Sequence, residues 1–158
     1  MMRYVIVTML LLSALFTQAA CKSAPKFSEI QDKDWYLIEV RHLPEEIVFD
    51  RHTLKEEGFD TIFTLRFDNV DQRINGIGAP NNYFAPYALS DKQGIAIKPI
   101  ASTLMVAIHE PEKLKERDYF TYLQNVNRWN LSEGNLQLYS VGEDGVEVIM
   151  TFIASDRK

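Results

Sequence analysis

From Asp34 onward most of the chain alternates apolar and polar residues with a period of two. In Asp34–Arg41 (DWYLIEVR), Trp35, Leu37 and Glu39 share one face and Tyr36, Ile38 and Val40 the other, which predicts a first strand. Ile47–Asp50 predicts a short edge strand, and His52–Gly58 a charged loop. Thr61–Asp68 (TIFTLRFD) sets Phe63, Leu65 and Phe67 on one face with Thr64 and Arg66 opposite, a clear strand, and Asp68–Asp71 turns the chain. Gly94–Ile100 and Thr103–Ile108 predict further strands, the second apolar enough to be central. Trp129–Leu131 and Asn135–Val141 flank Glu133-Gly134, a turn in which glycine accepts a positive φ. After a turn at Gly142–Gly145, Val146–Ile153 alternates Val146, Val148, Met150 and Phe152 with Glu147 and Thr151.

The period changes once. Over Glu110–Val126 (EPEKLKERDYFTYLQNV), Tyr119, Tyr122, Leu123 and Val126 fall at i, i+3, i+4 and i+7, an apolar stripe that predicts a helix. Pro111 suits its first position and Glu110 and Glu112 its positive dipole end. About seven antiparallel strands joined by short hairpins, with one helix whose stripe must be buried against a sheet, define an α+β class. No repeat or low-complexity stretch suggests a second domain.

Arg73–Tyr87 (RINGIGAPNNYFAPY) gathers glycines, asparagines, prolines and aromatics between two strand predictions. Glycines there permit close backbone approach, and asparagines bond to local backbone. A phosphate-binding loop is excluded: the third glycine is missing, and Pro80 and Pro86 forbid a helix starting there. The order of Trp35, then Gly76, Asn81, Tyr83 and Tyr87, then Ser102, Thr103 and Met105, then Leu136 and Leu138 resembles the META domain, or HslJ-like, family of bacterial envelope lipoproteins. The family pattern is a Trp-containing first strand, G-x-x-x-x-N-x-(Y/F)-x-x-x-Y, S/T-T-x-M, a helix, and a hairpin ending L-x-L; the match runs from Asp34 to Ile153. The resemblance implies a strongly curved, incompletely closed β-barrel packed around one α-helix. It also makes Gly76, Gly78, Asn81, Tyr83, Tyr87, Thr103 and Met105 the family's signature turn, expected to be structural. Many relatives carry cysteines at the positions occupied here by Pro80 and Val106, so their disulfide is absent from this chain.

The N-terminus changes the picture of location. Arg3 precedes the apolar run Tyr4–Phe16, and Gln18-Ala19-Ala20 leads to Cys21, the single cysteine. Residues 1–20 therefore read as a signal peptide, 21–33 as a lipidated cysteine and polar tether, and 34–154 as the domain. The usual lipobox has Leu where Gln18 stands, a departure like the looser lipoboxes of spirochaetes; simple secretion with an unmodified Cys21 is the alternative. Diacylglyceryl plus N-acyl chains would give stable anchoring.

Composition adds little: 46% hydrophobic, 25% charged and a net charge of −5, with no Lys/Arg-rich run to support a nucleic-acid role. His42, His52 and His109 have no metal-ligand spacing, so neither metal nor cofactor is expected. No serine sits in a nucleophile-elbow motif. Glu110, Glu112, Glu116 and Asp118 alternate with Lys113, Lys115 and Arg117 as a solvated helix face with pairs such as Glu112–Lys115. Tyr119, Tyr122 and Trp129, with Tyr83, Phe84 and Tyr87, read either as core and rim or as a groove for a hydrophobic ligand. The expected protein is a non-enzymatic, monomeric lipoprotein of the bacterial envelope, its membrane the outer one. The resemblance implies a role in envelope stress tolerance or outer-membrane component assembly, with an envelope protein as partner. The alternative is a lipid or small-molecule binder using the opening between helix and sheet.

Overall fold

The computed structural model describes residues 24–107, 110–142 and 144–155. Ten strands form one antiparallel sheet curled into an incomplete barrel. They are β1 (Asp34–His42), β2 (Glu46–Asp50), β3 (Thr64–Asp68), β4 (Arg73–Ile77), β5 (Asn82–Ser90), β6 (Gly94–Ile97), β7 (Ala101–Ser102), β8 (Arg128–Ser132), β9 (Asn135–Val141) and β10 (Glu147–Ala154). Two helices, α1 (Arg51–Glu56) and α2 (Glu116–Gln124), complete it. The sheet order is β10-β9-β8-β6-β5-β4-β3-β1-β2, and a further pairing of β10 with β1 joins the ends of the ring. The ring is thinnest between β6 and β8, paired only at Gly94 and Arg128. Helix α2 packs on β6 and β9, on either side of β8, and buries Tyr119 and Leu123.

Alternation places the core. Leu65 and Phe67 in β3, Tyr83, Ala85 and Tyr87 in β5, Leu136 and Leu138 in β9, and Val148, Met150 and Phe152 in β10 all face inward and are buried. In β1 the alternation slips. Leu37 pairs with Phe152 and Glu39 with Thr151, so Ile38 is bulged out of register. Trp35, Leu37 and Val40 are consequently all buried, although strict alternation puts Val40 on the opposite face. At the β8–β9 turn, Glu133 (φ 53°) and Gly134 (φ 82°) take the paired positive φ values of a tight hairpin.

Several expectations need correction. The charged loop predicted over His52–Gly58 is largely helix α1: Asp50 Oδ1 accepts from the His52 N–H at 2.8 Å, an N-terminal cap, and Leu54 is buried. The strand predicted from Thr61 begins at Thr64, because Phe63 takes a left-handed φ of 54° to bury its ring. The helix predicted from Glu110 begins at Glu116: Leu114 is drawn into the core and Lys115 takes extended backbone (φ −81°, ψ 152°). Lys115 pairs with Glu110 at 3.8 Å rather than with Glu112.

The largest correction concerns Thr103–Ile108, predicted as a central strand. Only Ala101–Ser102 pairs with the sheet, against Phe84 and Tyr83 of β5. Leu104, Met105 and Val106 leave it and stand 97%, 57% and 90% exposed. The chain is already packed before Asp34. Phe27–Glu29 forms a single 3-10 turn, Ile30 is fully buried, and the Phe27 ring packs on Phe67, Tyr87 and Trp129.

Candidate functional site

The Arg73–Tyr87 segment is a hairpin, β4 and β5, whose connection Gly78–Asn81 closes with a Gly78 N–H to Asn81 carbonyl bond of 2.7 Å. Glu116, at the start of α2, grips this connection. Its Oε1 accepts from the Ala79 N–H at 2.6 Å and the Asn81 N–H at 2.7 Å, and its Oε2 from Asn81 Nδ2 at 2.7 Å. A carboxylate on two backbone N–H groups and an amide is a charge-assisted cluster, stronger than neutral hydrogen bonds. Asn81 also faces the other way. Its Oδ1 accepts from Thr103 Oγ1 and from the Met105 N–H, both at 2.7 Å, and Nδ2 donates to the Met105 carbonyl at 3.2 Å. The buried amide thus has two donors and two acceptor positions filled. These bonds explain why Thr103–Val106 is not a strand: Met105 gives its backbone groups to Asn81 instead of to a neighbouring strand. They also join the two segments that the relatives' disulfide would join, at Pro80 and Val106.

Beneath this latch of Glu116, Asn81, Thr103 and Met105 lies a second polar cluster. The Tyr83 hydroxyl donates to the Thr64 carbonyl at 2.8 Å, the Tyr119 hydroxyl reaches the same oxygen at 3.1 Å, and the two hydroxyls are 3.1 Å apart. Both rings are buried, and burial pushes both phenol pKa values well up, so each is a neutral phenol at physiological pH. Gly76 runs directly over this cluster. A Cβ there would collide with the Thr64 carbonyl and come within 2.9 Å of Tyr83 Cε1. At Gly78 a Cβ would lie 2.5 Å from Glu116 Oε1 and 2.8 Å from Phe120 Cζ. Neither glycine has a positive φ; both are required by close approach.

The signature residues therefore divide. Gly76, Gly78, Asn81, Tyr83, Thr103 and Met105 converge at one end of the barrel. Tyr87 is at the other end, its ring between Phe27 and Phe67 and its hydroxyl accepting from Gln31 Nε2 at 3.1 Å. Of the residues proposed as a groove, Tyr83 and Tyr119 meet, but Tyr119, Tyr122 and Trp129 are not brought together. Tyr119 is in the core against Phe63 and Tyr83, Tyr122 is half-buried and bonds His42 at 3.1 Å, and Trp129 packs on Phe27. Phe84 points outward beneath the Arg73 guanidinium. Between helix and sheet, where the alternative reading places an opening, Tyr119, Leu123 and Val126 are buried. Cys21 lies outside the described residues.

The residue that sequence reasoning missed is Glu116. It sits among the alternating charges of a helix face, and the only signal pointing to it is its place one turn before the buried Tyr119 and the half-buried Phe120. Among the described residues no three His, Cys, Asp or Glu side chains converge as a metal site. Surface relief near the latch consists of a cleft of about 460 Å³ on the outside of β3–β5, lined by Tyr36, Thr64, Arg66, Asn75 and Asn82. A shallower groove of about 490 Å³ runs between Thr103–Val106 and α2. The hydrogen-bonding groups of the latch are directed at one another and at backbone, which makes the arrangement a clamp on chain geometry.

Comparison with known proteins agrees with this architecture. The family model described as META domain matches residues 28–152. A protein from Burkholderia xenovorans, solved by NMR, is similar in fold at 20% identity and a TM-score of 0.60, over 82% of this chain and 86% of that one. A DUF4847 family protein from Bacteroides vulgatus is similar at 12% identity and a TM-score of 0.56, over 82% of this chain and 96% of that one. At these identities the likeness is one of fold. No curated protein matches the chain.

Proposed function

Because the chain belongs to the META domain family, we propose that it is a non-enzymatic protein of the bacterial envelope, held to a membrane through a lipidated Cys21. In this reading it contributes to envelope stress tolerance or to assembly of outer-membrane components by presenting a surface to a partner. The observation that carries the non-enzymatic part is the saturation of the signature residues Asn81 and Tyr83 and of their partners Glu116 and Tyr119. Asn81, Glu116, Tyr83 and Tyr119 spend their polar atoms on Ala79, Thr103, Met105, Thr64 and each other. A nucleophile or general acid needs a polar atom available to substrate, and these are committed to the fold. The anchoring part is supported by the apolar run Tyr4–Phe16 and the solitary Cys21 after Ala19-Ala20.

The test is cell fractionation with labelled palmitate, comparing wild type with Cys21→Ala. The expected outcome is label and membrane association in the wild type and neither in the variant, together with loss of protection against envelope-damaging detergents in cells relying on the variant. A wild type that takes up no label, or a variant that stays membrane-bound, overturns the anchor. A variant that protects fully overturns the need for it.

A further inference from the structure

The outer side of the barrel between the latch and the N-terminal end differs from the rest of the molecule. Along β5, Phe84, Pro86 and Ala88 alternate outward, Phe84 being 48% exposed. Ala96 of β6 pairs with Ala88, Ala101 of β7 pairs with Phe84, and both are exposed. Past the exposed Ser102 and Thr103 the chain reaches the exposed Leu104, Met105 and Val106. Strands β4, β5, β6 and β7 contain no Asp or Glu. Over Arg73–Ala107 there are three cations (Arg73, Lys92, Lys98) against one carboxylate (Asp91), in a chain of net charge −5. Two of the cations bracket the stripe at one level: Arg73 is registered opposite Pro86, and the Lys98 N–H donates to the Pro86 carbonyl. The Arg73 guanidinium lies 5.7 Å over the Phe84 ring.

From these observations we infer that the outer face of β5–β7 and the Leu104–Val106 tip form a membrane-docking surface, seated on a bilayer that carries anionic phospholipids. Exposed apolar residues grouped within a polar surround mark interaction sites. An apolar tip, the exposed ring of Phe84 and flanking cations on strands that carry no carboxylate suit the headgroup boundary of an anionic leaflet. The chain outside the fold agrees with that occupant. The folded part begins at Phe27, which packs on Tyr87, while the apolar tip leaves the sheet beside Tyr83 of the same strand. Four residues of strand separate these levels, about 13 Å. Residues 21–26 reach at most about 20 Å, so a lipid at Cys21 and the tip can meet one bilayer plane with β5 lying along it. The inference deepens the anchored-protein reading and rests on it for which bilayer is met.

The test uses the chain from Cys21 onward carrying Cys21→Ser, so that vesicle binding is independent of lipidation. It is sedimented with vesicles of phosphatidylethanolamine and phosphatidylglycerol, and with phosphatidylcholine alone. The expected result is binding to the anionic vesicles that weakens with salt, and a fall of about tenfold for Leu104→Asp with Val106→Asp and for Arg73→Glu with Lys98→Glu. Ile153→Asp, at an exposed apolar position on β10, should bind as the unsubstituted chain does. Unchanged thermal transitions for the variants, all at exposed positions, show that each is folded. No sedimentation with either vesicle, or equal binding by every variant, overturns the inference. So does a dimer on size exclusion that Leu104→Asp dissolves without any vesicle binding, since a second copy then covers the face. The anchor itself is judged separately, by palmitate label on the wild type.

Discussion

Asn81 holds Met105 by both of its backbone groups: Oδ1 accepts the Met105 N–H at 2.7 Å, and Nδ2 donates to the Met105 carbonyl at 3.2 Å. A side-chain amide here imitates a neighbouring strand for a single residue. It ends sheet pairing at Ser102 and turns Leu104 and Val106 outward. Removing the amide leaves the Met105 groups and Glu116 Oε2 without it. Asn81→Ala is therefore expected to lower unfolding free energy by about 1–3 kcal/mol, measured by urea titration, and to raise amide exchange at Leu104–Ala107 more than elsewhere.

The two glycines of the hairpin should respond unequally to a methyl group. At Gly76 the obstacle is the Thr64 backbone carbonyl, fixed in β3; at Gly78 it is the flexible end of Glu116 and the Phe120 ring. Gly76→Ala should cost about 3 kcal/mol, at the upper end of ordinary overpacking, and Gly78→Ala about 1 kcal/mol. Equal effects would show that the hairpin can shift as a whole.

Much of this was legible in the sequence, and the failures share a cause. Phe63, Leu65 and Phe67, and Val148, Met150 and Phe152, were placed inward by their period alone, and all are buried. Val40 was not, because a bulge at Ile38 depends on how β10 registers against β1. Thr103–Ile108 has the composition of a central strand, but the course of Thr103–Val106 is decided by an asparagine more than twenty residues earlier, and Ile108 lies outside the described residues. Pro111 and Glu110 look like a helix start, but burying Leu114 requires extended backbone at Lys115. Glu116 was read as a solvated charge because periodicity records which face a residue is on, not which N–H groups wait there. Local patterns were sufficient where a residue's partner is the core in general, and insufficient where it is one particular atom.

Helix α2 should be the most sensitive element to truncation. Leu123 is fully buried, and Leu123→Ala should cost about 2–5 kcal/mol. Lys115 is exposed, with its ammonium 3.8 Å from Glu110, and Lys115→Ala should stay within about 0.5 kcal/mol. Guanidinium unfolding of the two variants against wild type checks the contrast.

Tyr83 and Tyr119 predict a specific alkaline transition. Burial raises both pKa values above the ordinary 10.0, and for Tyr83 the neighbouring Tyr119 raises it further. A group whose folded pKa is raised stabilises fully below the unfolded pKa and loses that stabilisation as pH climbs toward the folded one. Unfolding free energy contributed by this pair should be flat up to about pH 9.5 and fall above pH 10, each tyrosine adding a slope of about 1.4 kcal/mol per pH unit. Denaturant midpoints from pH 7 to 11 should show a shallower fall in the Tyr83→Phe, Tyr119→Phe double variant. An identical slope would mean that other groups set the transition.

The most direct test of the latch as a structural device is a double-mutant cycle between Asn81 and Glu116, read by equilibrium unfolding of Asn81→Ala, Glu116→Ala and the double variant. Their 2.7 Å contact and the shared hairpin N–H groups predict strong coupling. Each single change should cost at least about 1 kcal/mol, and the double should cost less than the sum by about 1–3 kcal/mol. If both single variants unfold within about 0.5 kcal/mol of wild type and their effects simply add, the two residues are not holding the fold together, and the signature must serve a bound molecule instead.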